Sequence, residues 1–536
     1  MPTQDYWAQP PITREQIVLF APTLDSMIAE GETVRLFDEV LRGHDWSSWE
    51  AHYDGTCGQP PIHPRVVASA ILYGLCRGVR SSRRLEYACH CNFDFIWLVE
   101  GRNIDHTTFS RFRTEFKSEL KDLFRHIGRM ALSVGLVRLG EVGFDGTRVK
   151  ANNSRYKTRT AATLAEKLQE LDEQIEKLMK DAESADAADS QLFGSDDSVT
   201  KLPPELADAK QRREQIQKAL DRARDADKAR KADGIDPVKK PAQVPTTDPD
   251  SRVMPNKEGG HAPNYTPTAA TDGKCGMIVD AAVTANVNEQ TQTLATIDRI
   301  KETFGEQPEK LLADAAHTTG AIMEGCEKRG VELYVPIESN ESQAENPANR
   351  SDATQPVAES EWPKLSRNSR GQLDKSCFLY DAANDQFRCP MGHAMPYDHM
   401  KYDERNGETV RSRVYRCNSC SGCPLAPACL GAKAKHGRTL TRDPYEEVRK
   451  RTAARMASES ARTLYNQRPR IAETPFGILK AVMGLRQFLL RGLEKVNTEW
   501  LWACTAFNLV KLARELARLR AWFTQLNADS MEPEIV

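Results

Sequence analysis

Three acids stand where an acid is costly. Asp145 falls inside the run VGFDGTRVKAN, Asp314 closes the hydrophobic run LLAD, and Glu473 opens the amphipathic stretch IAETPFGILKAVMGLRQFLLRG. A carboxylate in an apolar strand must be compensated, and a shared divalent cation is one compensation that draws separated carboxylates together. Two such ions about 4 Å apart can activate an oxygen nucleophile on one side of a phosphodiester and stabilise the leaving oxygen on the other. Taken singly, each acid reads more simply as a capping or strand-end residue. His317, three positions after Asp314, is readable as a supporting contact or as a loop histidine without a role. A second set of residues is built on sulfur. Of thirteen cysteines, Cys389, Cys417, Cys420, Cys423 and Cys429 fall within 41 residues, as CPMGH followed by CNSCSGCPLAPAC. Short-spaced pairs suit a closed tetrahedral Zn²⁺ site, and the Cys-x2-Cys-x2-Cys run also suits an iron-sulfur cluster. Five sulfurs are one more than a four-thiolate site needs.

These side chains need elements to hold them. Pro64 to Leu75 is helical in pattern, with Val66, Val67, Ile71, Leu72 and Leu75 on one face, and a shorter helix is expected from Glu15 to Phe20. In IDHTTFSRFRTEF, Asp105 is placed to cap a helix that exposes Arg111 and Arg113, an arrangement suited to DNA contact. At Glu141 the period changes to that of a strand, with Asp145 near its middle. A basic run follows: Arg148, Lys150, Arg155, Lys157 and Arg159. Thr160 to Lys180 and Pro204 to Lys231 predict a helical hairpin, with Leu164, Leu168, Leu171, Ile175 and Leu178 at heptad-like spacing. Strand patterns return in NYTPTAATD, CGMIVDAAVTAN, KLLADAAH and VELYVPI, with a helix from Thr319 to Lys328 before the last. Residues 338–375 read as a mobile polar loop, and long helices resume at Tyr445. Cys89 and Cys91, and Trp500, Trp502, Phe507 and Leu509, read as core residues.

The 536 residues carry 74 Lys+Arg against 76 Asp+Glu, a balance that hides two basic blocks. Residues 61–160 are net +9 and 431–520 net +11, which leaves −22 for the rest. Clustered Lys and Arg attract a polyanion such as DNA. Mean hydropathy is −0.58, and an uncharged apolar span of 18 residues is lacking, so a membrane partner is not expected. The start, MPTQDYWAQPPITREQIVLF, does not read as a secretory signal, and a cytoplasmic location is expected.

An Asp on a first strand, two more strands, an Asp ending a fourth, a helix, a fifth strand and a helix bearing Glu form the layout of an RNase H-like fold. In that order GQPPIHPRVVASAILYGL, DHTTFSRFR, FDGTRVKAN, TDPDSRVMPNKEGG, LLADAAHTTG and RPRIAETPFGILKAVMGLRQFLLRGLEKVNTEW resemble the DDE transposases of bacterial insertion sequences. The resemblance implies an α/β protein with a mixed five-stranded RNase H-like core. The implied domains are a helical DNA-binding domain at 1–135, core segments at 136–160 and 255–337, and a hairpin insertion with its loop at 161–254. A polar loop and cysteine-rich insertion would follow at 338–440, and a helical part carrying the Glu at 441–525. It makes Asp145, Asp314 and Glu473 the triad for two Mg²⁺ or Mn²⁺ ions. It offers Tyr465, Arg468 and Lys480 as phosphate contacts, with Arg470 as a rival because Arg468 precedes Glu473 by five positions, one more than the usual pattern. Its zinc ligands would be Cys389, Cys420, Cys423 and Cys429, with Cys417 as the alternative. The implied activity is metal-dependent cleavage at the element's ends and strand transfer into target DNA. The partners would be double-stranded DNA and a second copy of the chain on paired ends, in a bacterial nucleoid. A domesticated nuclease that cuts without joining, and a non-catalytic DNA-binding descendant, are the alternatives.

Overall fold

Alternation from Glu141 extends the chain as the strand Glu141–Gly146, which buries Val142 and Phe144. The structure, a computed structural model, describes residues 23–53, 60–154, 156–193, 204–232, 234–256, 259–337, 346–405, 408–431, 434 and 436–529. The helix expected from Glu15 to Phe20, and Arg155, lie outside them. The molecule is mixed α/β and about half helical. It divides into two compact units: Val137–Arg148 with Tyr265–Phe476, and Met1–Leu136 with Val149–Asn264 and Gly477–Val536.

In the first unit, Glu141–Gly146 lies between His261–Asp272, antiparallel to it, and Lys310–Leu312, parallel to it. Ile278–Thr284 extends the sheet on the antiparallel side and Glu332–Tyr334 on the parallel side. Parallel neighbours need crossovers, and the helices Thr293–Phe304 and Gly320–Lys328 supply them. The start of His261–Asp272 belongs to the other unit, where it pairs with the short strand Arg252–Pro255. Further on, Leu379–Asp381, Gln386–Arg388, Ala394–Arg405, Glu408–Arg416 and Thr439–Arg442 form a separate antiparallel sheet. Of the mobile loop expected at 338–375, residues 338–345 lie outside the described residues, and the rest is folded. Its Ala348, Val357, Leu365 and Leu373 are buried in the core of the cysteine-rich segment. Single apolar residues spaced among polar ones carry no periodic signal, yet each fills a gap in that core.

The other unit is mainly helical. Asp105 caps His106–Glu115 as expected, its Oδ1 accepting from the Thr107 N–H at 2.7 Å. Trp49 stacks on Phe112 and Phe116 and meets Trp502 edge-on. Trp500, Phe507 and Leu509 are buried with it on the long helix Leu493–Asp529. The expected hairpin is Ala161–Phe193 and Pro204–Ala232, packed through Leu164, Leu171, Ile216, Ala219, Leu220 and Ala223. Of the cysteine pair read as core, only Cys89 is buried; Cys91 is exposed, because positions two apart face different sides of a helix.

Candidate active site

Sheet register brings two of the acids near each other. Val142 pairs with Leu311 and Gly143 with Leu312 in parallel. The second strand ends at Leu312, and two residues on, that register carries Asp314 toward Asp145, close enough for its charge to act on the Asp145 carboxyl. Asp314 then caps the turn Ala315–His317, its Oδ1 accepting from the Ala316 N–H at 2.9 Å. Glu473 arrives from the helical side. Gly143 shares a strand face with Asp145, and a Cβ there would stand 2.9 Å from Ile471 Cγ2 and 3.0 Å from the Ala472 nitrogen. Glycine thus lets the strand touch the chain immediately before Glu473.

The turn Pro469–Glu473 is π-helical. A π turn closes on i→i+5, so residues five apart come to one side of it. Arg468 accordingly donates from Nη1 to Glu473 Oε1 at 3.0 Å, while its Nη2 pairs with Asp145 Oδ2 at 3.1 Å. The five-residue spacing that made Arg468 doubtful is what the wide turn accommodates. Arg470 is exposed and donates to the Gln467 side chain at 3.4 Å.

Burial governs the electrostatics. The Asp145 carboxyl is pushed up to about 6 by desolvation, against the pull of Arg468 and with a further push from Asp314 and Glu289. Tyr465, half-buried beside Leu312 and Tyr334, has its phenol raised by desolvation, an effect that Arg468 opposes. His317 is fully buried, and desolvation lowers it to about 4. Glu289 carried no signal in the sequence. It opens the short turn Glu289–Gln292 and brings its carboxylate within 4.8 Å of Asp314 and His317 ligand atoms. Hard oxygen donors around a buried carboxyl that holds a guanidinium fit a divalent cation such as Mg²⁺ or Mn²⁺.

The remaining candidates separate. Lys480 is half-buried on the helix Thr474–Ala481. Arg111 is exposed, its side chain 80% accessible and 3.8 Å from Glu115. Arg113 is not exposed as expected: its Nη2 is buried without a partner, and desolvation lowers its pKa to about 10. The His106–Glu115 helix turns it inward beside Arg80, Glu499 and Trp502. Arg148 is committed to Thr266 Oγ1 and the Val287 carbonyl.

All five clustered cysteines line one small cavity with His393 and Arg438. A hydrogen bond from Cys417 holds the Cys389 thiol down at about 6, and burial pushes Cys429 up to about 12. Among the described residues, the groups of three ligand atoms within 4.8 Å are Glu289, Asp314 and His317, and Glu86, Asp105 and His106, so no three of these sulfurs stand that close. The donor set suits zinc, but the sulfurs must draw in to reach tetrahedral spacing.

Among the described residues, no helix is long and apolar enough to cross a membrane. Two family models match the chain. Residues 22–115 match a transposase domain, DUF772, and residues 388–513 match a transposase DDE domain. The second stretch carries the cysteine cluster, Arg468 and Glu473; neither reaches Asp145 or Asp314. No curated protein and no solved structure matches.

Proposed function

We propose that this chain, which belongs with the DDE transposases of insertion sequences, cuts DNA at its element's ends and joins the freed 3′ ends to target DNA. Asp145, Asp314 and Glu473 are the catalytic acids in this reading. The observation that carries it is the meeting of three distant segments: the parallel pairing of their strands brings Asp314 within electrostatic reach of Asp145, and Arg468 ties Asp145 to Glu473. The strand order, with two antiparallel strands on one side of the Asp145 strand and two parallel strands on the other, supports an RNase H-like core. The hairpin and the cysteine-rich sheet interrupt that core as insertions.

Two divalent ions, when bound, supply an activated oxygen nucleophile and neutralise the leaving oxygen. The chain's own part is to hold them. Asp145 and Asp314 present oxygens from one sheet edge, and Glu473 adds a third carboxylate from the helical side. Arg468 fixes the spacing of Asp145 and Glu473 and lends both positive charge. Tyr465 beside this centre and Lys480, two helical turns beyond Glu473, are assigned to DNA phosphates, with Arg111 as a further contact from the helical N-terminal domain. One acid centre per chain and two ends to process argue for a homodimer on paired ends. A DNA substrate argues for a nucleoid location. Cys389, Cys420, Cys423 and Cys429 are assigned to a structural Zn²⁺.

Purified protein should be incubated with Mg²⁺ or Mn²⁺ and DNA carrying the inverted repeats that flank its gene. Both end cleavage and joined products are expected. Asp145→Asn, Asp314→Asn and Glu473→Gln should each abolish both, with DNA binding retained in gel shifts. Glu494→Gln, whose carboxylate only pairs with Lys117 at 2.5 Å, should leave both intact. Cleavage without joining would mark a nuclease instead, and binding without cleavage a non-catalytic descendant.

A further inference from the structure

We propose that Glu289 and Nε2 of His317 join Asp314 as ligands of one divalent cation, giving the acid centre a fourth carboxylate and an imidazole. The proposal rests on the divalent-metal reading above. One oxygen of Glu289, one of Asp314 and a ring nitrogen of His317 lie within 4.8 Å of one another. Around an octahedral ion with ligands at about 2.1 Å, cis ligands stand about 3.0 Å apart and trans ligands about 4.2 Å apart, so the three must draw inward to close the set. The three arrive by separate means. Glu289 follows the strand Ile278–Thr284, and Asp314 and His317 bracket the turn Ala315–His317. Glu289 is seated over Gly146, where a Cβ would meet its side-chain carbons at 3.0–3.2 Å. Glycine next to Asp145 therefore makes room for a fourth acid.

The imidazole supplies the independent observation. Thr293 donates its hydroxyl proton to the Gln290 carbonyl at 2.8 Å. Its Oγ1 also lies 2.8 Å from His317 Nδ1, so the ring must be the donor there, and Nε2 is left with a lone pair. That nitrogen is fully buried and makes no hydrogen bond, although Asp314 Oδ1 is 3.4 Å away. Two electron-rich atoms thus face each other, the nitrogen fully buried and the carboxylate partly open, which is costly for the buried atom unless something positive lies between them. Metal-ligating histidines are held in this way, with the other ring N–H donated to a fixed acceptor.

The test uses Mn²⁺ added to the full chain without DNA and does not depend on turnover. Pulsed electron paramagnetic resonance should show ¹⁴N coupling to bound Mn²⁺, lost in His317→Gln. Glu289→Gln should weaken Mn²⁺ binding at least about tenfold. His317→Gln should also reduce the preference for Mn²⁺ over Mg²⁺, because a nitrogen ligand favours the transition metal. Wild-type protein with bound Mn²⁺ but no ¹⁴N coupling, or Glu289→Gln with unchanged affinity, overturns the proposal even if His317→Gln fails to fold. Asp145→Asn separates the two levels. If it weakens Mn²⁺ binding while the ¹⁴N signal is absent, only this assignment falls; if it leaves binding unchanged, the metal-centre reading falls with it.

Discussion

Asp145 is held at about 6 although Arg468 stands 3.1 Å away, so desolvation outweighs the ion pair. Only 14% of its side chain is accessible, and the consequence for stability follows by linkage. A carboxyl raised in the folded state contributes stability that is full below its unfolded value, near 3.8, and is lost as pH rises through 6. With divalent ions chelated, ionising Asp145 should cost the fold on the order of 3 kcal/mol by neutral pH. Asp145→Asn removes this titration. Thermal unfolding in a chelator should find the variant at least as stable as wild type at pH 7.5, with the difference closing as pH falls toward 4. A variant clearly less stable at pH 7.5 would show that the ion pair, and not burial, dominates.

The element that most needs explaining is the cysteine-rich segment, whose antiparallel sheet packs Cys389, Cys417 and Cys429 among Phe387, Met395, Tyr415 and Leu440. Its thiols are unequal: Cys389 is drawn toward the thiolate by the hydrogen bond from Cys417, while Cys429 is held protonated by burial. Zinc ligation would deprotonate all four ligands and pull them together, so metal binding and folding of this sheet should be linked. Elemental analysis should find about one zinc per chain. Cys420→Ser with Cys423→Ser should release it and speed hydrogen exchange around Leu425 and Leu440, whereas Cys417→Ser should retain it. Brown protein with iron-sulfur absorbance, or full zinc retention in the double variant, would refute the ligand choice.

For the whole molecule, net charge overstates what is free to meet DNA. Within the two basic blocks, Arg80 is spent on the Gly484 and Gln487 carbonyls and Glu499, Arg113 is buried, and Arg468 belongs to the acid centre. DNA affinity should still fall linearly in log salt, by about 0.9 per phosphate neutralised, with a slope well short of what the two blocks' summed charge suggests. Arg111→Ala should lower that slope by about one, while a salt-independent affinity would count against the basic surface. Features encoded within a few turns of chain were legible in the residues alone. The Asp105 cap, the helical hairpin, the buried Trp500 and Trp502, and the strand around Asp145 all follow from local spacing and hydrophobic period. Meetings between segments far apart in sequence came only with the fold: Asp314 brought near Asp145, the pairing of Arg468 with Asp145 and Glu473, the inward turn of Arg113, and Glu289 with His317. These depend on strand register, one π-helical turn and two glycines that allow close approach, and none of those leaves a periodic trace in the residues it brings together.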